Sequence, residues 1–162
     1  VTREVELTSL FEDLKGSQHE PGTRVVSREV VAAPASVAER LGIETGARVL
    51  RLRRLRTADG PPMAVLETHL PEEFADITEE QLAAGGLYAI LRARGVTIRV
   101  AKQRIGARRA HDDEPSLLDI DAGSPLLTME RTAFDASGHA VEYGRHVYRP
   151  DMYSFETTLI AK

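Results

Sequence analysis

The chain has 162 residues, of which 42% are hydrophobic and 28% charged, as in an ordinary globular domain. A formal charge of −4 excludes a protein that binds nucleic acid over its whole surface. The absence of cysteine excludes disulfides and thiolate catalysis and fits a cytoplasmic location. No apolar run approaches the roughly 20 residues that a membrane-spanning helix needs.

The first half of the chain predicts short helices between strands. The first helix begins at Ser9, because Ser9 and Glu12 have the spacing of a capping box, and ends at Gly16. Segments that are rich in β-branched residues, or that alternate between polar and apolar residues, predict strands. Segments in which apolar residues recur with helical spacing, and which end at glycine, predict helices. The predicted elements are a strand at 24–33, a helix at 33–42, strands at 48–57 and 62–71, and helices at 78–84 and 87–95.

The second half has the same character. The predicted elements are a strand at 97–107, a helix at 112–120, and strands at 124–135, 139–149 and 152–161. The strands follow one another through tight turns, which favours an α+β domain with an antiparallel β-sheet and flanking helices over a parallel α/β domain. The total is six or seven strands and four or five short helices.

A weak internal repeat relates the two halves. Residues 41–71 and 118–150 each contain the pattern L-x-I-x-x-G, a strand with arginine, a turn with glycine, and a second strand. Leu41 corresponds to Leu118, and Arg54 to Arg131. We therefore expect a pseudo-symmetric sheet with a cleft between its halves, because pockets favour such seams.

Four arginines within residues 51–56 are the most unusual local feature of this acidic chain. Side chains alternate along a strand, so Arg54 and Arg56 share a face with Leu50 and Leu52, while Arg51 and Arg53 lie opposite. Two guanidinium groups about 7 Å apart can hold one phosphate or carboxylate. The alternative is that these arginines are solvated and pair with Glu67 or Glu130.

Other polar residues could belong to an anion site, although from the pattern alone each is better explained by an ordinary structural role. Free amides at Leu10 and Phe11, after Ser9, attract anions at a helix start, but Ser9 also caps its own helix. Tyr88 begins a helix after two glycines. On the strand at 139–149, Glu142, Gly144, His146 and Tyr148 share one face, suited to hydroxyl groups or to solvent.

No enzyme motif is present. The five histidines show no metal-ligand spacing, and the sequence lacks G-x-S-x-G, a P-loop and G-x-G-x-x-G. We therefore predict no metal, no cofactor and no catalytic residues.

The order SLFEDL, R-L-R, PMAVLE, LYAIL, G-x-P-L-L-x-x-x-R and VEYGRHVYRPDMYSF resembles the UTRA domain, the effector-binding half of HutC-type regulators in the GntR superfamily. The resemblance covers about residues 4–158. It implies a chorismate lyase-like fold built from a duplicated unit. It also implies that the chain, residues 1–162, is a single UTRA domain without the N-terminal winged helix-turn-helix domain that would bind operator DNA, usually as a homodimer.

Within this family, sensors of amino-sugar phosphates resemble the chain most closely. That likeness implies that a small anionic effector, such as glucosamine 6-phosphate or N-acetylglucosamine 6-phosphate, binds ten residues. They are Thr8, Ser9, Leu10 and Phe11 at the helix start, the pair Arg54 and Arg56, the acids Glu67 and Glu142, and the tyrosines Tyr88 and Tyr148. One difference is Gly86, because these sensors carry a small hydroxyl residue two positions before the tyrosine.

Two other functions are compatible with an arginine-lined pocket. A chorismate lyase-like enzyme would act on an anionic aromatic acid without a cofactor. A dimerisation module with a vestigial pocket would bind no metabolite. The sequence favours the sensor over both.

Overall fold

One six-stranded antiparallel sheet organises the described part of the chain. The computed structural model describes residues 21–161. The strands are β1 (Pro21–Ala32), β2 (Arg48–Ala58), β3 (Pro62–Pro71), β4 (Ile98–Arg109), β5 (Pro125–Asp135) and β6 (Ala140–Tyr148). The helices are α1 (Ala35–Leu41), α2 (Glu79–Ala84), α3 (Leu87–Ala93) and α4 (Glu114–Leu118), with a 3-10 turn at Glu72–Phe74. The predicted α+β class is confirmed.

The strand order β1-β2-β3-β6-β5-β4 confirms the internal repeat. Each half runs strand, helix, strand, strand, and the halves meet where β3 pairs with β6. Equivalent hydrogen bonds close both units, since the amide of Ala33 donates to Ala47 at 2.7 Å and that of Ala110 to Ser124 at 2.8 Å. Gly46 and Gly123 both have positive φ, which explains why each repeat carries glycine there.

The two faces of the sheet are covered differently. Helices α2 and α3 cover one face, where Leu50 and Leu52 are fully buried in the main core. We call this the helix-covered face. Helices α1 and α4 pack at separate places on the other face, through clusters that include Val49 and Leu118. This side of the sheet also has a groove of about 960 Å³ beside α4, and we call it the groove face.

The predicted strand at 152–161 is wrong. After β6 the chain turns, with the amides of Met152 and Tyr153 both donating to Arg149 at 3.1 Å, and then forms no helix or strand through residue 161. Strand β6 already lies between β3 and β5, so the sheet has no edge beside it. The apolar alternation instead reflects Tyr153 and Phe155, which pack on Tyr148 with ring centroids 5.0 and 5.4 Å away.

The predicted helix at residues 9–16 lies outside the described residues. Within residues 21–161, no helix is long and apolar enough to cross a membrane. The same residues contain no group of three or more histidine, cysteine, aspartate or glutamate side chains that could hold a metal ion.

Candidate functional site

Strand β2 carries its two buried arginines into a small internal cavity. The alternation predicted for this strand is confirmed, because Arg54 and Arg56 continue the helix-covered face beyond Leu50 and Leu52 and are only 3% and 1% exposed. The cavity measures about 40 Å³, room for a few water molecules. Its lining residues come from both halves of the repeat: Arg54, Arg56, Leu66, Leu87, Tyr88, Met129, Arg131, Glu142, His146, Tyr148 and Tyr153.

Arg54 is buried with most of its hydrogen-bonding capacity unused. Its Nη2 donates a long hydrogen bond of 3.4 Å to Thr68 Oγ1, whereas Nε and Nη1 have no hydrogen-bond partner among residues 21–161. Burial lowers the pKa of Arg54, and nearby Glu142 opposes that shift. A buried guanidinium with two nitrogens that no described residue satisfies is costly, and it fits an incoming anion.

Arg56 lies beside it and strengthens the positive potential. Burial lowers the pKa of Arg56 to about 9, and the charge of Arg54 contributes to the shift. Its Nη1 contacts Thr23 Oγ1 of β1. Two like charges held together out of water would both be stabilised by one anion between them.

Across the cavity, Tyr88 links an acid to a third arginine. The Tyr88 hydroxyl accepts from Arg131 Nη1 at 3.3 Å and lies beside Glu142. Burial raises the pKa of Glu142, although Tyr88, Arg131 and Arg54 favour its charged form. Its Oε2 has no hydrogen-bond partner within the described residues, so it can accept from a ligand hydroxyl or amide.

His146 completes this wall as a neutral side chain. Burial, together with the charges of Arg54, Arg131 and Arg56, holds its pKa well below the usual 6.5. Its Nδ1 has no hydrogen-bond partner in residues 21–161. The neutral ring therefore presents a polar atom to the cavity without adding a fourth positive charge.

The burial of His146 predicts a pH dependence of stability. The folded-state pKa lies below the unfolded value of about 6.5, so the unfolded chain binds the extra proton and the free energy of unfolding falls as pH drops below about 6.5. His146→Gln should reduce this loss, which for one proton is at most about 1.4 kcal/mol per pH unit. Urea unfolding between pH 5 and 7.5 measures it, with the exposed His139→Gln as control; equal pH slopes in all three proteins would contradict the prediction.

Glu67, predicted in the same site, does not join it. In the β2–β3 register it lies opposite Arg53, and it accepts from Arg51 Nε at 3.2 Å on the groove face. Its neighbour Leu66 lines the cavity instead. Because side chains alternate along a strand, a one-residue difference in alignment moves a side chain to the other face.

The remaining predicted positions divide into two groups. Arg51 and Arg53, which lie opposite Arg54 and Arg56 on the strand, form ion pairs on the groove face with Glu67 and with Asp113. Thr8, Ser9, Leu10 and Phe11 lie outside the described residues, and their binding role stays a prediction.

The predicted site omitted three apolar residues of the cavity, Leu66, Leu87 and Met129, and three polar ones, Arg131, His146 and Tyr153. The sequence carried a signal for two of the polar residues. The repeat aligns Arg131 with Arg54, and both extend into the one cavity at the seam between halves. His146 shares the strand face of Glu142 and Tyr148. Tyr153 could not be identified, because the turn that brings it back over Tyr148 was predicted as a strand.

Comparisons with known proteins agree with this architecture. Residues 16–154 match the model of the UTRA domain. The HTH-type transcriptional repressor NagR of Bacillus subtilis is 32% identical over 150 residues, 92% of this chain and 62% of that protein. The HTH-type transcriptional repressor PhnF of Mycolicibacterium smegmatis is 30% identical over 155 residues, 95% of this chain and 64% of that protein. The chain thus spans less than two thirds of these relatives.

Solved structures give the same result. The effector domain of PhnF from Mycobacterium smegmatis superimposes with a TM-score of 0.86 at 28% identity, covering 94% of this chain and 95% of that one. A crystal structure from Streptomyces coelicolor is 48% identical with a TM-score of 0.84, covering 89% of this chain and 96% of that one. The chain therefore belongs to the UTRA domain family, the effector-binding module of HutC-type regulators in the GntR superfamily, and is a regulatory domain rather than an enzyme.

Proposed function

We propose that the cavity beside Arg54 and Arg56 binds a small anionic metabolite, and that a sugar phosphate such as glucosamine 6-phosphate or N-acetylglucosamine 6-phosphate is the effector. The observation that supports this most is the buried guanidinium of Arg54, with two nitrogens that have no hydrogen-bond partner among residues 21–161. Buried polar groups are normally hydrogen-bonded, and an exception calls for an explanation, such as an ion or ligand that binds there.

The cavity is a better candidate than the larger groove on the opposite face. Charges in the groove are largely neutralised within the chain, since Arg51 pairs with Glu67 and Arg108 with Glu114. Among the described residues that line the cavity, three are arginines and only Glu142 is a carboxylate, so positive charge exceeds negative charge there. An anion gains more where it replaces missing partners than where it must displace existing ones.

The lining also separates into two chemical ends. Arg54 and Arg56 would hold the phosphate by charge-assisted hydrogen bonds. Glu142, Tyr88 and His146 would contact hydroxyl groups or an amide of the sugar, since they offer both acceptors and donors. Gly86 supplies no hydroxyl to the phosphate, so the binding here relies more on the arginine pair.

Binding a sugar phosphate requires the cavity to open. Its volume of about 40 Å³ is far smaller than such a ligand, and the aromatic ring of Tyr153 closes one side against Tyr148. A change in the position of the segment after β6 would enlarge the cavity. The same change would alter the surface of the domain when the ligand binds. Ligands can shift such an equilibrium only by their differential affinity for the two states.

In the complete regulator, we place a winged helix-turn-helix domain before this chain. That domain would bind operator DNA as part of a cytoplasmic homodimer, and effector binding here would alter its affinity for the operator. More than a third of the sequence of NagR and of PhnF lies outside the region that matches this chain, which supports an additional domain.

A thermal-shift panel tests the proposed effector class. The chain is heated with sugar phosphates, amino-sugar phosphates, phosphonates, aromatic acids and inorganic phosphate. A specific ligand at about 100 times its dissociation constant adds roughly 2.7 kcal/mol of stability, which is several degrees for a domain of this size. The amino-sugar phosphates should give the largest shift, and Arg51→Met, on the groove face, should retain it.

Failure of this panel has a defined meaning. If no anion shifts the melting temperature, the cavity is vestigial. The domain would then be a dimerisation module and not a sensor. If an uncharged sugar shifts it as much as its phosphate, the arginine pair does not bind the effector.

A further inference from the structure

Two neutral side chains hold Arg131 where it enters the cavity from β5. Its Nε and Nη2 donate to Gln103 Oε1 at 3.2 and 2.9 Å, so one amide oxygen accepts from two nitrogens of the guanidinium. Its Nη1 donates to the Tyr88 hydroxyl at 3.3 Å, and its Cζ lies 5.9 Å from the centre of the Tyr88 ring. These contacts fix the direction of the guanidinium, and neither partner cancels its charge.

Neutral partners also hold the other two arginines of the cavity. Thr68 accepts from Arg54, and Thr23 contacts Arg56. On the groove face, arginines form ion pairs with acids instead: Arg51 with Glu67, Arg53 with Asp113 and Arg108 with Glu114. A threonine or glutamine oxygen orients a guanidinium but leaves its full charge to act on a ligand.

Arg131 is also the stronger of two positive charges that act on Glu142. Burial raises the pKa of Glu142, whereas the charges of Arg131 and, to a smaller extent, Arg54 favour the carboxylate. Burial alone would lower the pKa of Arg131, but Tyr88 and Glu142 outweigh it, so this side chain stays charged. Because opposite charges attract strongly out of water, Arg131 balances Glu142 and leaves the positive charge of Arg54 and Arg56 to a ligand.

The charges of the described lining residues indicate what charge that ligand carries. Three arginines and one glutamate line the cavity, and His146 is neutral, so two positive charges remain without a counter-charge among these residues. A phosphate monoester, with about 1.5 to 2 negative charges at neutral pH, balances them. A sulfate ester has nearly the same shape but a single negative charge, and it would leave one buried guanidinium uncompensated.

We propose that Arg131 is a specificity-determining residue of the effector site and that Gln103 positions it, so that the cavity selects a doubly charged anion over a singly charged anion of the same shape. The inference rests on the anion site proposed beside Arg54 and Arg56. It extends that proposal to Gln103, an exposed residue of β4 that does not itself line the cavity. Without Arg131, Glu142 would offset one charge of the arginine pair, and a singly charged anion would suffice.

Two ligands of equal shape and different charge test the selection. N-acetylglucosamine 6-phosphate and N-acetylglucosamine 6-sulfate are titrated calorimetrically into the chain at neutral pH. The wild type should bind the phosphate ester at least about tenfold more tightly, because one further negative charge interacts with the uncompensated guanidinium groups. The ratio of the two affinities is the readout, since a general loss of stability or affinity weakens both esters alike.

Variants of Arg131 and Gln103 separate charge from packing. Arg131→Gln should bring the ratio close to one, and Arg131→Lys, which keeps the charge, should preserve the preference for phosphate. Gln103→Glu keeps an oxygen acceptor in place but cancels the charge of Arg131, so it should lower the ratio although Gln103 does not line the cavity. Arg104→Gln is the matched control, because it removes one positive charge from the next position of β4, where the side chain lines the groove. It should leave the ratio unchanged.

The outcomes distinguish this inference from the proposed function. Equal binding of the two esters by the wild type, or an undiminished ratio in Arg131→Gln, would overturn the inference and leave the anion site at Arg54 in place. An undiminished ratio in Gln103→Glu would overturn the role of Gln103, and an equal fall in Arg104→Gln would show that overall charge makes the selection. If neither ester binds, the proposed sugar phosphate site fails and this inference fails with it.

Discussion

Replacing Arg54 with methionine is expected to raise the melting temperature of the ligand-free domain and to abolish its response to anionic effectors. The substitution keeps a long side chain but removes a guanidinium that has two nitrogens without hydrogen-bond partners in residues 21–161. Each unsatisfied buried polar group costs about 1–3 kcal/mol, and replacing buried charge by apolar side chains is often stabilising. Loss of the long bond to Thr68 offsets part of this gain.

We expect a net stabilisation of about 1–2 kcal/mol, or roughly 2–6 °C in melting temperature. Thermal unfolding of wild type and Arg54→Met, each with and without the best ligand of the panel, measures both effects. Arg51→Met is the matched control, because Arg51 lies on the same strand but pairs with Glu67 on the groove face. A melting temperature for Arg54→Met clearly below that of the wild type would show that the chain itself neutralises Arg54.

Such a result would have a functional explanation. A sensor that holds charge ready for its ligand is less stable without it, and binding then restores the missing interactions. Arg54 and Arg56 together illustrate this, since burial and mutual repulsion keep the pKa of Arg56 at about 9. An anion between them offsets both the cost of burying the two charges and their mutual repulsion. The same two charges therefore increase the affinity for the ligand and lower the stability of the ligand-free domain.

Adding a single methyl group at Gly144 should disturb the same site, because Gly144 lies between two of its residues on β6. A Cβ at this position would lie 2.5 Å from His146 Nε2 and 3.3 Å from Glu142 Oε1. Both of these side chains are buried, at 8% and 3% exposure, so neither can turn into solvent. Gly144→Ala therefore forces the imidazole into the cavity or distorts β6, and we expect a destabilisation of about 1–3 kcal/mol.

The effect on ligand binding should be larger than the effect on folding, because the ring would occupy the space that the effector needs. Calorimetric titration and urea unfolding separate the two. Gly85→Ala is the matched control, since its φ of −168° is extended backbone and a Cβ there meets nothing within 4 Å. Wild-type affinity in Gly144→Ala would show that His146 and Glu142 do not border the ligand.

Local pattern was sufficient to predict most of the fold and the direction of the key arginines. Alternation in β2 placed Arg54 and Arg56 beyond Leu50 and Leu52, because a strand has a strict period of two. The repeat predicted the pseudo-symmetric sheet, since L-x-I-x-x-G recurs where helix gives way to strand in each half.

The predictions were wrong where the pairing of distant strands, or packing against them, determines the structure. Glu67 was assigned by its position along a family pattern, but in the β2–β3 register it lies opposite Arg53 and therefore on the groove face. The segment after β6 has the composition of a strand, yet the sheet offers it no adjacent edge. In both cases the missing information concerns which strands are neighbours, and composition alone does not contain it.

The central claim is that an anionic effector binds at Arg54 on the helix-covered face. A crystal structure of the chain with the panel's best ligand tests this most directly. The account predicts the anionic group within hydrogen-bond distance of Arg54 Nε or Nη1, with the rest of the ligand against Glu142 and Tyr88 and with Tyr153 displaced. A ligand bound instead in the groove beside Arg51 and Arg145, with Arg54 unchanged, would contradict it.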